Sequence, residues 1–380
     1  MGLVAMRIFS SFLFSVMLIF IALFCSLPSA LARPNFVLVL TDDMEVAPVG
    51  YMYWTKTLIR AQGVAFQRAY VASPLCAPAR ATILTGRYPQ NTGVRRNSHK
   101  AYYEQGNPAR SLPVWLHDAG YRTALIGKYM NGYPAPDAIP YIPPGWDMWS
   151  VRYRAKPYDG QYNYWLNENG KPVYYGNRPE HYATDVYRKK AVAFIKETVT
   201  HDAPFFLQLA VHAPHTPFVP AARHASQFPT VRAPRSGPGI AAGLKLDHLV
   251  ANVDIAPTIL ELAGVPIPAE IDGRSFAPLL GTGRPSPDMW RQVLAMSFQE
   301  GDDAFHVPTW QGIRTQRYTY VEYPGTGERE LYDDLLDPHQ LANIAATADQ
   351  TLMARLSERS RLLAACAQVA CREAEDLALP

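Results

Sequence analysis

The residues best suited to chemistry lie in one stretch, LCAPARATILTGRYP, residues 75–89. Cys76 stands between two prolines, each of which fixes its own φ and biases the preceding residue away from helix. The segment 79–84 can begin a helix, whose free N–H groups and positive dipole end favour an anion. Arg80 and Arg87 add planar guanidinium groups that suit a tetrahedral oxyanion such as sulfate or phosphate. The stretch therefore predicts a thiol on a rigid turn beside an anion site; an inert buried cysteine is the alternative.

Three apolar runs, residues 34–40, 121–126 and 204–211, are typical of strands that are buried on both faces of a parallel sheet. Polar residues follow each run: Asp42 and Asp43 the first, Lys128 the second, His212 and His215 the third. Ligands of α/β proteins gather at the carboxyl ends of strands, so these side chains are expected at the ligand-binding edge. Two adjacent carboxylates there need a neutralising cation, and hard oxygen ligands favour Ca²⁺, with Mg²⁺ as the alternative. A solvated turn with an aspartate cap is the other interpretation.

These motifs together resemble the type I sulfatase family. The resemblance is carried by Cys76-x-Pro-x-Arg80, by the Leu-Thr-Gly-Arg that follows, and by the Asp-Asp pair upstream. Gly-Lys-Tyr-x-Asn at 127–131 and Pro-Gly-Trp at 144–146 are similar to the N-acetylglucosamine-6-sulfatase branch. The resemblance implies an α/β, alkaline-phosphatase-like fold: a mixed central sheet flanked by helices, with a small C-terminal α+β subdomain.

The resemblance also implies how the nucleophile is made and held. A formylglycine-generating enzyme would oxidise Cys76 to formylglycine, whose hydrated aldehyde attacks sulfur and later re-forms as the covalent sulfate is expelled. Asp42, Asp43 and position 76 would bind the metal, Ca²⁺ or Mg²⁺. Together with the metal, Arg80 would hold the nucleophile.

Four further residues are assigned to the substrate by the same resemblance. Lys128 and His215 would neutralise the sulfate oxygens and assist the leaving alcohol. Many relatives carry a histidine two residues after the lysine, whereas this chain has Met130 there and Asn131 next. Asn131 and His212 are therefore predicted substrate contacts, His212 as a neighbour and not as a catalyst.

One part of the family pattern is absent. Near Ser236–Gly237 two familiar stretches meet without the segment that would carry a helix, a central strand ending in Asp-Asn-Gly, and a further lysine. Asp42 and Asp43 alone supply too few oxygens for a hard cation, which takes about six or more. A missing strand would also leave backbone groups unpaired on its neighbours. The sequence therefore predicts weak or absent metal binding and a gap in the sheet.

The N-terminal 32 residues have the pattern of a secretory signal peptide. A basic Arg7 precedes the apolar run 8–27, and Ala-Leu-Ala at 30–32 is a small-x-small cleavage site. The run is long enough to cross a bilayer, so an uncleaved anchor is the alternative to a chain without a stable membrane span. We expect a secreted or periplasmic protein, or a lysosome-like lumen in a eukaryote.

The cysteine count agrees with an oxidising compartment. Cys366 and Cys371 lie close together near the C-terminus and are expected to form a disulfide, whereas Cys25 leaves with the signal peptide. Cys76 is then left alone, which is unusual in an exported chain. Conversion to formylglycine would explain it.

Composition bounds the remaining possibilities. The chain has 380 residues, 48% of them hydrophobic and 18% charged, which indicates a globular protein. A net charge of +3 is too small to argue for nucleic acid. The linker GTGRPSP suggests a catalytic domain over 33–284, after the signal peptide 1–32, and a small subdomain over 285–380.

The leading expectation is a sulfuric ester hydrolase that removes the 6-sulfate from N-acetylglucosamine in a sulfated glycan. Two alternatives stay open. One is hydrolysis of phosphate or phosphonate esters by the same kind of nucleophile. The other is a secreted, catalytically impaired glycan-binding protein, which the incomplete metal site favours.

Overall fold

The computed structural model describes residues 33–45, 47–134, 141–153, 160–228, 244–299 and 308–378. By their contacts, Met1–Pro34 and Asn35–Pro380 form separate units, and all described helices and strands belong to the second. The predicted signal peptide and the Ser236–Gly237 junction lie outside the described residues. Within the described part, no helix combines the length and the apolar character that crossing a membrane requires.

Strands and helices are interspersed through the first two thirds of the chain. The strands are β1 Phe36–Asp42, β2 Val64–Phe66, β3 Ala69–Tyr70, β4 Arg122–Gly127, β5 Met148–Tyr153, β6 Tyr164–Glu168, β7 Lys171–Tyr175, β8 Phe205–Pro214, β9 Leu244–Leu246, β10 Val250–Ala251, β11 Val293–Phe298, β12 Trp310–Thr315, β13 Tyr318–Glu322 and β14 Arg329–Asp333. The helices are α1 Cys76–Thr85, α2 Pro89–Thr92, α3 His99–Glu104, α4 Leu112–Asp118, α5 Ala183–Thr198, α6 Ile255–Leu262, α7 Ala277–Leu280, α8 Gln350–Ala365 and α9 Val369–Asp376. A π-helical turn spans Thr55–Arg60, and short 3₁₀ turns span Ala47–Tyr51, Asn107–Ala109, Pro179–His181, Ala222–His224, Asn252–Asp254 and Pro287–Met289.

The large sheet has the order β1-β8-β4-β5-β6-β7. Its first four strands run parallel, and β6 and β7 are added antiparallel, so the sheet is mixed as predicted. The three apolar runs form β1, β4 and β8, which lie side by side. The Asn169–Gly170 pair makes the tight β6–β7 turn, with positive φ at both residues. Pairs β2–β9 and β3–β10 form two small sheets apart from this one.

Helices cover both faces of the large sheet. On one face, Val186 and Phe194 of α5 pack with Leu207 of β8. On the other, Leu116 of α4 and Ile259 of α6 share a core cluster with β8. The alternation of strand and helix along the chain produces this layered arrangement because each apolar strand face needs a cover.

Strand β1 differs from its prediction. Phe36 and Leu38 pack into the core, but the side chains between them, Val37 and Val39, are 49% and 53% exposed. The prediction that this strand is buried on both faces is wrong. Among the described strands β1 pairs only with β8, so it is an edge of the sheet, and the described elements also leave the face that carries Val37 and Val39 half exposed.

The C-terminal part forms an antiparallel sheet in the order β11-β12-β13-β14, as expected of a small α+β region. Leu356 and Leu363 of α8 pack against it in a core that also includes residues before Cys76 and after α1. A disulfide between Cys366 and Cys371, with an S–S distance of 2.02 Å, joins the end of α8 to α9. The division predicted at residue 284 stays a prediction.

A cluster of buried charge fastens the C-terminal end to the rest of the molecule. Arg291 donates to both carboxylate oxygens of Asp254 at 2.7 Å and to Glu375 of α9 at 2.8 Å. All three side chains are fully buried, and the Tyr88 hydroxyl also donates to Glu375. Asp254 further accepts the Ala251 N–H at 2.8 Å, so it also caps a turn.

Candidate active site

The two aspartates that follow β1 have different surroundings. Asp42 is the last residue of the strand and its side chain is 4% exposed. Asp43 has a φ of 54° and its side chain is 60% exposed. The left-handed backbone at Asp43 turns the chain away from the strand, which is tolerated by aspartate better than by most residues. One carboxylate therefore lies in the protein and the next one lies at its surface.

Cys76 is the first residue of α1, immediately after the extended Leu75. Its Sγ lies 3.8 Å from Oδ1 of Asp42. The N–H of Ala77 is capped by the side chain of Asn97 at 3.0 Å. The helix ends at Gly86, whose φ of 64° and close contact with Ile271 explain why the motif needs glycine there. The predicted thiol at a helix start is present.

Arg80 lies one helical turn after Cys76 and is 3% exposed. Its guanidinium donates to Oδ1 of Asp42 at 3.1 Å and to the backbone carbonyl of Lys128 at 2.8 Å. Arg80 thus joins the nucleophile helix to the ends of β1 and β4. Arg87 is different: it donates to Asn107 at 3.2 Å and to the Asn91 carbonyl, so it stabilises the loops after α1.

Lys128 follows the carboxyl end of β4 and is 8% exposed. Its Nζ lies 2.6 Å from Oδ2 of Asp42. Gly127 before it has a φ of 112°, and a Cβ there would lie 1.9 Å from the Ala210 carbonyl oxygen. The close approach of β4 to β8 therefore requires glycine at 127, and it sets the position of the lysine that follows.

His212 lies near the end of β8 and His215 directly follows the strand, and the two side chains lie at different depths. Nε2 of His215 is 3.5 Å from Oδ2 of Asp43, while its Nδ1 lies 2.5 Å from the Thr216 carbonyl. Since a carbonyl only accepts, Nδ1 carries a proton and Nε2 is the atom that faces Asp43. His212 is 7% exposed, and its Nδ1 has no hydrogen-bond partner among the described residues.

Burial and positive neighbours control protonation in this group. Burial raises the pKa of the Cys76 thiol, although Lys128 acts against the rise. The pKa of His212 lies well below its usual range because the ring is buried and because Arg152, Lys128 and Arg80 are near it. The thiol is therefore protonated at neutral pH, and His212 is neutral.

Arg152 is a member of this group that sequence reasoning missed. It lies at the carboxyl end of β5, is 8% exposed, and donates to the Gly160 carbonyl at 2.6 Å. Its guanidinium carbon is 5.0 Å from the ring centre of Tyr164. Only its place at the end of a parallel strand could have pointed to it, since no motif marks it.

Asn131 is the remaining predicted contact. It comes three residues after Lys128, so chain length keeps the two Cα atoms within about 11 Å. Its Oδ1 is buried and has no hydrogen-bond partner among the described residues. A buried amide oxygen without a partner is costly, and a ligand donor would satisfy it.

The assembled group has more buried positive charge than negative charge. Arg80 and Lys128 are both buried and both pair with Asp42, which is the single buried carboxylate that the described residues place with them. Such an excess is costly unless an anion enters. The geometry therefore suits an oxyanion held next to position 76.

Asp42, Asp43 and Cys76 could together approach a metal ion. One ligand atom from each of Asp42, Asp43 and Cys76 falls within 4.8 Å of the others, so one ion can reach all three. Ca²⁺ takes about six to eight oxygens, and the described residues offer two carboxylates here. Both oxygens of Asp42 already contact cationic groups, Arg80 and Lys128. The described residues do not fit a tight site for a hard cation.

Comparison with known protein families gave two matches. The family model described as Sulfatase matches residues 34–238. The model described as N-sulphoglucosamine sulphohydrolase, C-terminal, matches residues 229–365. The first match covers more than half of the chain and contains every residue of the assembled group.

Individual relatives and structures agree with these matches. The chain is 27% identical over 481 residues to an N-acetylglucosamine-6-sulfatase of Capra hircus, covering 90% of this chain and 85% of that protein. The human protein of the same name is also 27% identical, with 90% and 86% covered. A solved structure in complex with its substrate D-glucosamine-2-N,6-O-disulfate aligns with a TM-score of 0.72 at 20% identity, covering 87% of this chain and 97% of that one. The predicted fold is confirmed.

Proposed function

Since the chain belongs to the sulfatase family, we propose that it hydrolyses sulfate esters, and that its substrate is the 6-sulfate of N-acetylglucosamine in a sulfated glycan. The observation that carries the proposal is the excess of buried cations around Asp42 beside Cys76. A sulfate ester is an anion with three outer oxygens, which this arrangement can neutralise. The names of the relatives in goat and human support the choice of sugar.

The nucleophile is proposed to arise from Cys76 through a formylglycine-generating enzyme. The raised pKa of the thiol keeps it protonated, so the unmodified side chain is a poor nucleophile. Formylglycine, when hydrated, supplies a hydroxyl nucleophile at this position. Position 76 lies at the positive dipole end of α1, which favours negative charge developing there.

The remaining residues are proposed to hold the sulfate and move the proton. Arg80 orients Asp42 and the residue at 76, since it contacts the first and lies one turn from the second. Lys128 donates to the sulfate oxygens. His215, as the imidazolium, gives its Nε2 proton to the leaving alcohol oxygen, while its Nδ1–H stays on the Thr216 carbonyl. His212 and Asn131 contact the substrate as neutral groups.

We also propose that this chain binds Ca²⁺ or Mg²⁺ weakly or not at all. The lack of further oxygen ligands among the described residues supports this, as does the pairing of Asp42 with two cations. The alignment to the goat relative spans 481 positions, whereas 90% of this 380-residue chain is about 342 residues. Roughly 140 aligned positions therefore lack a counterpart here, which supports the absence of an internal segment. The junction at Ser236–Gly237 is the proposed place.

Export is part of the same proposal. The disulfide at Cys366–Cys371 supports an oxidising compartment, either outside the cell or in the periplasm. A sulfated glycan would be met there. A lysosome-like lumen is the corresponding place in a eukaryotic cell.

The test is to produce the chain with and without a formylglycine-generating enzyme and to measure two things. The first is the mass of the tryptic peptide 69–80, and the second is sulfate release from N-acetylglucosamine 6-sulfate. We expect the modified peptide and sulfate release only with the enzyme present. Cys76→Ala is the control, since it cannot be modified.

Three outcomes would contradict the proposal in different ways. Modified protein that releases phosphate from the 6-phosphate but no sulfate would establish the phosphate-ester alternative. Unmodified thiol in the presence of the modifying enzyme would exclude the nucleophile. Binding of the sulfated glycan without turnover by the modified protein would favour a glycan-binding protein.

A further inference from the structure

A cavity of about 260 Å³ lies between the loop that precedes Cys76 and the C-terminal sheet. Ser73 and Gln90 contribute to its first wall, and Trp310 and Gln311 of β12 contribute to its second. The two walls are fastened together, because the N–H of Ser297 donates to the Ala72 carbonyl at 3.0 Å. The cavity is therefore a built feature of the junction between the two sheets.

The cavity is close to the nucleophile. Ser73 is three residues before Cys76, so their Cα atoms lie within about 11 Å. Arg95 is two residues from Asn97, whose side chain caps Ala77. Two residues of the lining, Ser73 and Arg95, are thus close in the chain to position 76 or to a side chain that contacts its helix.

The lining has the chemistry of a carbohydrate site. Trp310 offers an aromatic ring on which a sugar face can stack. Gln299 offers an amide for hydroxyl groups, and Gln90 and Gln311 offer amide oxygens, since their NH₂ groups already donate to the Leu363 carbonyl and to Glu322. A volume of this size is slightly below that of sites for drug-sized ligands, which begin at about 300 Å³, and it suits a single sugar ring.

Arg95 gives the cavity its charge. It is the one charged side chain among the described residues that line it, and no carboxylate of that lining opposes it. Arg95 is exposed and forms no ion pair with any described residue. Its guanidinium is therefore available for an anionic group of a ligand.

We propose that this cavity binds the sugar next to the sulfated sugar, and that Arg95 pairs with a carboxylate or sulfate carried by that neighbour. The proposal rests on the proposed function, since it takes a sulfated glycan as the substrate. It adds a preference: the glycan is acidic at the neighbouring residue as well as at the residue that loses its sulfate.

The experiment measures binding and turnover separately, with three probes. These are N-acetylglucosamine 6-sulfate alone, the same sugar linked to a neutral hexose, and the same sugar linked to a uronic acid, in both orders of linkage. Binding is measured by calorimetry on the Cys76→Ala protein, and turnover is measured on the modified protein. Arg95→Gln is compared with Arg96→Gln, an exposed arginine that does not line the cavity.

We expect the uronic-acid disaccharide to bind about 10- to 100-fold more tightly than the neutral one, as for a charge-assisted hydrogen bond. Arg95→Gln should abolish that preference and leave the single sugar unchanged. Arg96→Gln should change neither. Trp310→Phe should keep binding of both disaccharides within a few-fold, because the ring is retained.

The outcomes separate the two proposals. Equal binding of the two disaccharides, or an equal loss for all three probes in Arg95→Gln, would overturn the cavity assignment while leaving sulfate hydrolysis intact. Tight, Arg95-dependent binding without sulfate release would support the cavity assignment and contradict the proposed function. Thermal unfolding of each variant identifies any that fail to fold, and Arg95 can then be tested as Lys, which should retain part of the preference.

Discussion

Two clusters of buried charged side chains in this molecule differ in their balance of positive and negative charge. Around Asp254 and Glu375, Arg291 makes three short hydrogen bonds, and its side chain and both carboxylates are fully buried. Around Asp42, the buried cations Arg80 and Lys128 share one carboxylate. The first cluster is satisfied without a ligand. We call the first the structural cluster. The second, whose net positive charge the proposed anion would balance, is the binding cluster.

The largest expected effect is on the structural cluster. Arg291→Met should lower the free energy of unfolding by about 3–5 kcal/mol, because it leaves two buried carboxylates without their cation. Urea denaturation followed by circular dichroism measures this. A loss as small as that of an exposed ion pair, about 1 kcal/mol or less, would show that the cluster does not fasten the C-terminal end.

The same change in the binding cluster should affect turnover more than stability. Lys128→Met leaves Asp42 paired with Arg80, so unfolding should change less than in Arg291→Met. Sulfate release should fall about 10²- to 10³-fold, as when one donor to a developing charge is removed. Lys100→Met is the control, since Lys100 pairs with Glu104 at the surface. Unchanged turnover in Lys128→Met would contradict the role of the cluster.

Metal binding would change the charge balance of the binding cluster, because a divalent cation would replace the pairing of Asp42 with Lys128. We expect calorimetric titration of Ca²⁺ and of Mg²⁺ to give no tight, stoichiometric binding, since two carboxylates are too few. Removing metal with a chelator should leave the unfolding transition in place. Tight binding that is lost in Asp42→Asn would show that the chain supplies ligands outside the described residues.

The smallest expected effect is on the titration of His212. Its pKa is held well below the usual range by burial and by Arg152, Lys128 and Arg80, so the folded protein keeps it neutral. The unfolded chain takes up that proton below about pH 6.5, and stability should therefore fall as the pH falls through that value. Lys128→Met removes a positive neighbour and should raise the pKa of His212 in NMR titration. Lys100→Met should leave it where it is.

The binding cluster was largely predictable from the sequence, and the structural cluster was not. Asp42, Lys128 and His215 each follow an apolar run, and strand ends of a parallel sheet meet at one edge. Arg80 is one helical turn from Cys76, so local geometry places it. Asp254, Arg291 and Glu375 are far apart along the chain, and only the packed fold brings them together. Arg152 lay between these cases, at a strand end without a motif.

The burial of β1 was the clear error. An apolar run with valine at alternate positions has the same sequence pattern whether or not another element covers its side chains. The run therefore cannot show that such a cover is absent. Val37 and Val39 are about half exposed, which the run itself does not reveal. The shortened pattern near Ser236–Gly237 predicts a gap in the sheet, and that gap stays a prediction.

The open edge of β1 has a consequence for the handling of this protein. Among the described strands only β8 pairs with β1, so its outer amide groups can exchange with solvent or accept a strand from another molecule. The exposed side chains of Val37 and Val39 add apolar contacts that would stabilise such pairing. Concentrated samples should therefore accumulate dimers and larger aggregates through the strand that ends in Asp42.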